Sequence, residues 1–224
     1  MAIENIKHYK HIIWDWNGTL LDDVNIAISA MNCLLKRRNL PLLDTDRYRD
    51  VFTFPVKNYY ARLGFDFDKE PFEELAFEFI SEFSIEKHGF KLHNEAKAVL
   101  DNVRRLGIGQ SILSASQESE LKDFINKLGI PEYFINIAGL NDHYAISKAA
   151  RGKELLASLN LRPEQVVLIG DTLHDYDVSK ELGCDCLLVS NGHQNYKRIS
   201  SCNANIVKTL SEVIDYLRVK AIAL

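Results

Sequence analysis

Ile12-Ile13-Trp14-Asp15-Trp16-Asn17-Gly18-Thr19-Leu20 decides how the rest of the 224-residue chain is read. A short β-prone run, Ile12 to Trp14, ends abruptly at a carboxylate. Asn17-Gly18 follows, a dipeptide that tolerates a tight turn with positive φ. In open α/β folds, ligands lie in the crevice beyond the carboxyl ends of the strands, so a strand that stops at an acid and then turns places a reactive side chain there. Taken alone, the stretch reads equally well as an acid capping the turn after an ordinary edge strand. The rest of the chain decides.

Outward from this stretch the pattern changes twice. Between Asp22 and Arg38 apolar residues recur at helical spacing (Val24, Ile26 to Ile28, Met31, Leu34, Leu35), with Asp22 and Asp23 suited to the N-terminal end and Pro41 marking the stop. Further helices are expected from near Thr45, over Val56 to Leu63, and after Pro71, so that Asp22 to His88 is all helix and rich in Phe and Tyr. Those aromatics are expected to form a small helical core. From Asn94 onward α and β alternate. Strands are expected at Ile108–Leu113, Tyr133–Ala138, Val166–Ile169, Cys186–Val189 and around Asn205–Val207. Helices are expected at Ala96–Leu106, Glu118–Leu128, Lys148–Leu159, Asp175–Leu182 and Leu210–Arg218. Val166 to Ile169 is continuously apolar, as in a strand covered on both faces. This alternation predicts an α/β fold, a doubly wound parallel, Rossmann-like sheet with right-handed crossovers, interrupted by the helical block as an insertion.

Composition narrows the function classes. Hydrophobic content of 46% and charged content of 26% are ordinary for a globular protein. A formal net charge of −4 gives no basic footprint, so no nucleic-acid partner is expected. No apolar run is long enough to span a bilayer, and Met1 to Lys10 lacks the apolar core of a signal peptide. Cys33, Cys184, Cys186 and Cys202 follow no zinc-ligand spacing. A cytoplasmic protein with reduced thiols and no membrane association is expected.

Three strand ends present polar groups: Asp15, Ser114 and Asp171. In a parallel sheet these ends share one edge. Asp15 and Asp171 there would repel one another unless a cation sat between them, and hard oxygen ligands suit magnesium. Asp175 lies one helical turn beyond Asp171 and can face the same point. A metal ion with a serine hydroxyl and a lysine nearby is equipment for handling a phosphoryl group.

With these residues in place the chain resembles the haloacid dehalogenase-like superfamily of hydrolases, over nearly its whole length. The family's first motif, Asp-x-Asp-Gly-Thr-Leu after a strand, is matched by Asp15 to Leu20. Its second, an apolar strand ending in Ser or Thr, is matched by Ile112-Leu113-Ser114, and its fourth, Gly-Asp-x-x-x-Asp, by Gly170 to Asp175. The helical block resembles the α-helical cap of the phosphoglycolate phosphatase-like and β-phosphoglucomutase-like branches. The resemblance therefore implies a core of residues 1–21 and 89–224 and an inserted α-helical cap of residues 22–88.

Residue by residue, the resemblance implies Asp15 as the nucleophile, forming an aspartyl-phosphate. It implies Mg2+ held by Asp15, Asp171 and the backbone carbonyl of Asn17, with Asp175 in support. Ser114 would hydrogen-bond a phosphoryl oxygen, with Gly18, Thr19 and Ala115 lining the same pocket and Thr19 chiefly tying the loop together. The motif lysine is Lys148 or Lys153. The common Lys-Pro form is absent, and Lys148 is preferred because it stands at a loop-to-helix junction, where side chains point into such crevices.

The departure from the family pattern is Asn17, where phosphatases carry an acid that protonates the leaving group and then activates water. An amide has no proton to exchange near neutral pH, and such help is typically worth about a hundredfold to ten-thousandfold in rate. His174 is expected in a turn or capping role, and His193 in loop structure or, less favoured, against the leaving group. Arg47, Arg49, Lys57 and Arg62 in the cap are candidates for an anionic substrate, but most of them are expected simply to be solvated helix faces. The expected function is a magnesium-dependent phosphatase acting on a small phosphorylated metabolite, as a monomer or homodimer. The alternatives are a catalytically weakened member that binds a phosphorylated ligand or partner, and a mutase-type phosphoryl transferase, which no feature specifically supports.

Overall fold

The protein, seen in a computed structural model that describes residues 9–85, 89–140 and 147–222, is built on six strands. The reading of Met1 to Lys10 falls almost wholly outside the described residues, as do residues 86–88 at the end of the helical block. In chain order the elements are β1 (His11–Trp14), helices α1 (Val24–Arg37), α2 (Thr45–Val51), α3 (Val56–Leu63) and α4 (Phe72–Ile85), then α5 (Ala96–Arg105), β2 (Gly109–Gln117), α6 (Glu118–Lys127), β3 (Asn136–Leu140), α7 (Lys148–Leu159), β4 (Val166–Gly170), α8 (Leu173–Leu182), β5 (Asp185–Val189), α9 (Tyr196–Ile199), β6 (Asn205–Val207) and α10 (Leu210–Ile222). All pairings are parallel and the strand order is β3-β2-β1-β4-β5-β6. The chain thus starts in the middle of its sheet and winds outward to both edges. This is the doubly wound α/β fold expected from the alternation.

Alternate side chains of β1 pack on opposite faces, as the pleat requires. Ile12 and Trp14 join Ile112, Val167 and Leu187 beneath residues of α5, α6 and α10. Ile13 joins Leu113 and Leu168 beneath α7 and α8. All of these strand residues are 0% exposed, which explains why the central strands read as unbroken apolar runs. The helical block has its own cluster around Leu34, Leu35, Tyr48, Tyr60 and Leu75, so its aromatics do form a small core.

The differences from expectation are local. Strand β2 does not stop at Leu113 but runs on to Gln117, because its register with β3 shifts between Leu113↔Ala138 and Gln117↔Leu140. Four steps along β2 thus oppose two along β3, a bulge of the kind found beside functional sites. Helix α8 starts at Leu173 rather than Asp175, since Thr172 and Asp175 cap each other reciprocally. The preceding elements α1 and α2 are capped differently: Asp23 occupies the N-cap position of α1 without making a capping bond, whereas Asp44 accepts from Arg47 N at the start of α2.

His11 lies buried on β1, its Nε2 2.8 Å from Ser111 Oγ. Burial lowers its imidazole from 6.5 to about 4. The unfolded chain therefore takes up this proton below 6.5 while the folded chain resists until about 4, so stability is lost as pH falls through that window. Denaturant titrations at about pH 7.5 and about pH 5 should show a smaller loss between the two for His11→Gln than for the native chain.

Candidate active site

Register places the polar groups. Trp14 pairs with Ile112 on one side and Ile169 on the other, so Asp15, the residues after Ile112 and Gly170-Asp171 all emerge at one edge of the sheet. Lys148 enters the same edge as the first residue of α7. Its Nζ donates to Asp15 Oδ1 and, at 2.6 Å, to Asp175 Oδ1. The Thr19 hydroxyl lies within donating distance of both Asp15 Oδ2 (3.2 Å) and Asp171 Oδ1 (2.9 Å). Asp171 Oδ2 accepts from His193 N at 2.6 Å, and Asp175 Oδ2 accepts from Thr172 N and Oγ1. Asp15, Asp171, Asp175 and Lys148 are all buried.

Three carboxylates and one ammonium in a desolvated cluster leave a formal charge of −2, and the titration directions reflect that imbalance. Burial, with the neighbouring charge of Asp175, pushes Asp15 up to about 8 against the pull of Lys148. Burial likewise raises Asp171. For Asp175 burial is outweighed by Lys148 and Thr172, which hold it below the usual range, and the two acids hold Lys148 above its own despite burial. Carboxylate oxygens of Asp15, Asp171 and Asp175 lie within 4.8 Å of one another. A divalent cation would neutralise the residual charge, and an all-oxygen donor set is what a hard cation such as Mg2+ takes. The residues fit that ion.

Ser114 is 1% exposed and its hydroxyl accepts from Ser116 N at 3.0 Å, inside the β2 bulge; Ala115 beside it is exposed. Asn17 is half-buried, its side-chain nitrogen 2.7 Å from Asp23 Oδ2 and its oxygen 2.8 Å from Ser116 Oγ. Gly18 has φ 74°, and its backbone nitrogen donates to Asp23 Oδ1 at 2.8 Å. Lys153 stands apart, exposed and paired with Glu181 at 3.0 Å.

The helical block meets the sheet edge through His193, which is buried against Tyr48 and Asp23. Burial lowers its basicity, but Asp23 more than compensates and carries it up to about 9. His174 stacks on Phe54 with ring centres 4.5 Å apart, a contact with the helical block that sequence reasoning did not anticipate. The candidate cations are engaged within the protein. Arg47 donates to the Pro41 and Leu42 carbonyls, Arg49 to those of Asn191 and Gly192, and Arg62 to that of Val51, while Lys57 sits over Phe67 and Phe72. Asp23, Tyr48 and Ser116 were not singled out as site residues. Asp23 looked like a helix-start acid, and only its tertiary partners reveal otherwise.

The parallel sheet gathers buried acids and a bridging lysine at its carboxyl edge. Residues 12–189 match the haloacid dehalogenase-like hydrolase family, and the chain belongs to it. It is similar to tyrosine-protein kinase PtkA of Mycobacterium tuberculosis, at 24% identity over 92% of this chain and 70% of that protein. It is also similar to a phosphoglycolate phosphatase of Chromobacterium violaceum, at 22% identity over 96% of this chain and 99% of that one. Among solved structures, a haloacid dehalogenase-like family hydrolase from Streptococcus pneumoniae superposes with a TM-score of 0.80 at 23% identity, covering 93% of this chain and 98% of that chain. At that identity the likeness is one of fold. No helix among the described residues is long and apolar enough to cross a membrane.

Gly18 gives a direct check on this geometry. A Cβ there would stand 2.5 Å from both Asp171 Oδ2 and His193 Cδ2, on a backbone that already disfavours L side chains. Gly18→Ala should lower the unfolding free energy by about 2 kcal/mol or more, read by denaturant titration.

Proposed function

We propose that the protein is a magnesium-dependent phosphatase that hydrolyses a small phosphate monoester, phosphoglycolate-like or a sugar phosphate. The observation that carries this reading is the Lys148 bridge between Asp15 and Asp175, with Asp171 completing the cluster. In it residues 1–21 and 89–224 are the core and 22–88 the cap that closes over substrate and excludes water.

Asp15 is the nucleophile: its carboxylate attacks phosphorus, the ester oxygen leaves, and water then releases phosphate from the aspartyl-phosphate. Lys148 orients Asp15 by hydrogen bonding and offsets the negative charge gathered when an anionic phosphoryl group approaches. Thr19 holds the other oxygen of Asp15 and links it to Asp171, fixing the attack geometry. Ser114, Ala115 and Gly18 form the phosphate cradle, with Ser114 giving a hydroxyl to a phosphoryl oxygen. Asp15, Asp171 and the Asn17 carbonyl would hold Mg2+, with Asp175 behind them; the ion supplies charge neutralisation on the transferring group. Asn17 exchanges no proton, so the leaving oxygen takes its proton from a solvent water. Support from relatives is of the same kind: one named a phosphatase and one named a kinase both imply phosphoryl transfer, and here water is assigned as the acceptor.

A panel of phosphate esters with magnesium tests the reading. Hydrolysis should be lost on chelation, restored by added magnesium, abolished by Asp15→Asn, and cut at least about a hundredfold by Lys148→Met. Turnover that survives Asp15→Asn would overturn it.

A further inference from the structure

The Asn17 amide is held at both ends. Its nitrogen donates to Asp23 Oδ2 at 2.7 Å and its oxygen accepts from Ser116 Oγ at 2.8 Å. The partners settle which end is which, because a carboxylate only accepts and a hydroxyl can give. Asp23 is 1% exposed, and its other oxygen accepts from Gly18 N at 2.8 Å and lies 3.4 Å from His193 Nε2. The second nitrogen of that imidazole is 2.7 Å from Tyr48 OH in the cap. Asp23 also stands where the chain passes from core to cap, beside the Asp22 N to Lys91 O bond that ties the two linking segments. One carboxylate therefore grips the nucleophile loop at two points and reaches a cap helix through one ring.

We propose that Asn17 and Asp23 are a matched pair in which Asp23 is the positioning residue of the nucleophile loop, so that an acid can stand at position 17 or at position 23 but not at both. An Asp at 17 would set two carboxylates across a 2.7 Å contact in a buried setting, where repulsion is weakly screened. Removing the charge of Asp23 alone leaves two amides facing each other and weakens the acceptor for Gly18 N. Moving the carboxylate from 23 to 17 keeps one acid and one amide across the same contact, with the amide oxygen still able to accept from Gly18 N, although His193 Nε2 then faces that amide in place of a carboxylate. The absence of an acid at 17 is then a relocation of charge within the loop. The turnover half of the test rests on the phosphatase reading; the stability half does not.

The experiment compares four proteins: native, Asn17→Asp, Asp23→Asn and the double swap Asn17→Asp/Asp23→Asn. Each is followed by thermal melting and by hydrolysis of p-nitrophenyl phosphate with magnesium, with kcat and KM determined separately. Asn17→Asp should melt about 5 °C below the native protein and lose at least about tenfold in kcat with a smaller change in KM, and Asp23→Asn should move the same way. The swap still forgoes the Asp23–His193 pairing, so it should melt no lower than Asp23→Asn alone and turn over at least about tenfold faster than Asn17→Asp. A merely structural Asp23 would leave the swap with the summed losses of both single changes. That sum, or an Asn17→Asp protein that melts and turns over like native, overturns the proposal. If none of the four hydrolyses the ester, the phosphatase reading fails, and the melting temperatures still decide the pair.

Discussion

Three carboxylates share one buried sheet edge with a single ammonium, and most of the architecture around them follows from keeping that arrangement tolerable. Isolated buried charge is costly, so each oxygen must be met by a donor or a cation. The central position of β1 lets acids from two neighbouring strand ends converge. Lys148 reaches them because α7 begins at that edge, and Thr19 reaches two of them because the loop after β1 folds back on itself. What the donors leave over is negative charge.

The loop from Asp15 to Asp23 behaves as one hydrogen-bonded unit. Backbone bonds from Gly18 to Leu21 and from Leu20 and Leu21 to Trp16 close it into a tight turn, and Asp23 folds back to seal it. Within that unit Asn17 leaves no hole: both ends of its amide are satisfied. The side chain that departs from the family pattern is as well anchored as those that follow it.

Much of the fold was legible because its signals are local. Val166 to Ile169, buried on both faces, announces a central strand, and the ends of such strands announced Asp15 and Asp171. Lys148 stood out from Lys153 by its place at a helix start, and the structure brings only the former to the acids. Asp23 was illegible for the opposite reason. Two acids before an apolar helical repeat look like favourable helix-start charges, and only contacts with Gly18 and His193 show where this one points. The β2 bulge was equally hidden, since it exists only relative to β3. Arg47, Arg49 and Arg62 could be read only as anion contacts or solvated helix faces, because sequence carries no information about which carbonyls lie within reach.

The junction between helical block and sheet edge is written largely in main chain. Arg49 holds the carbonyls of Asn191 and Gly192, Arg198 and Gln194 hold that of Phe52, and side chains meet directly at Tyr48–His193, Asn195–Asp50 and Phe54–His174. A carbonyl is offered by every residue type. The junction therefore fixes the path of the 191–192 loop and of the turn at Phe52, while the Phe52 ring itself packs on Tyr48, Tyr59 and His193. At Gly192 two demands meet: a Cβ there would stand 2.2 Å from Asp171 Oδ2, so the residue whose carbonyl seats the helical block also backs the acid cluster and must stay bare.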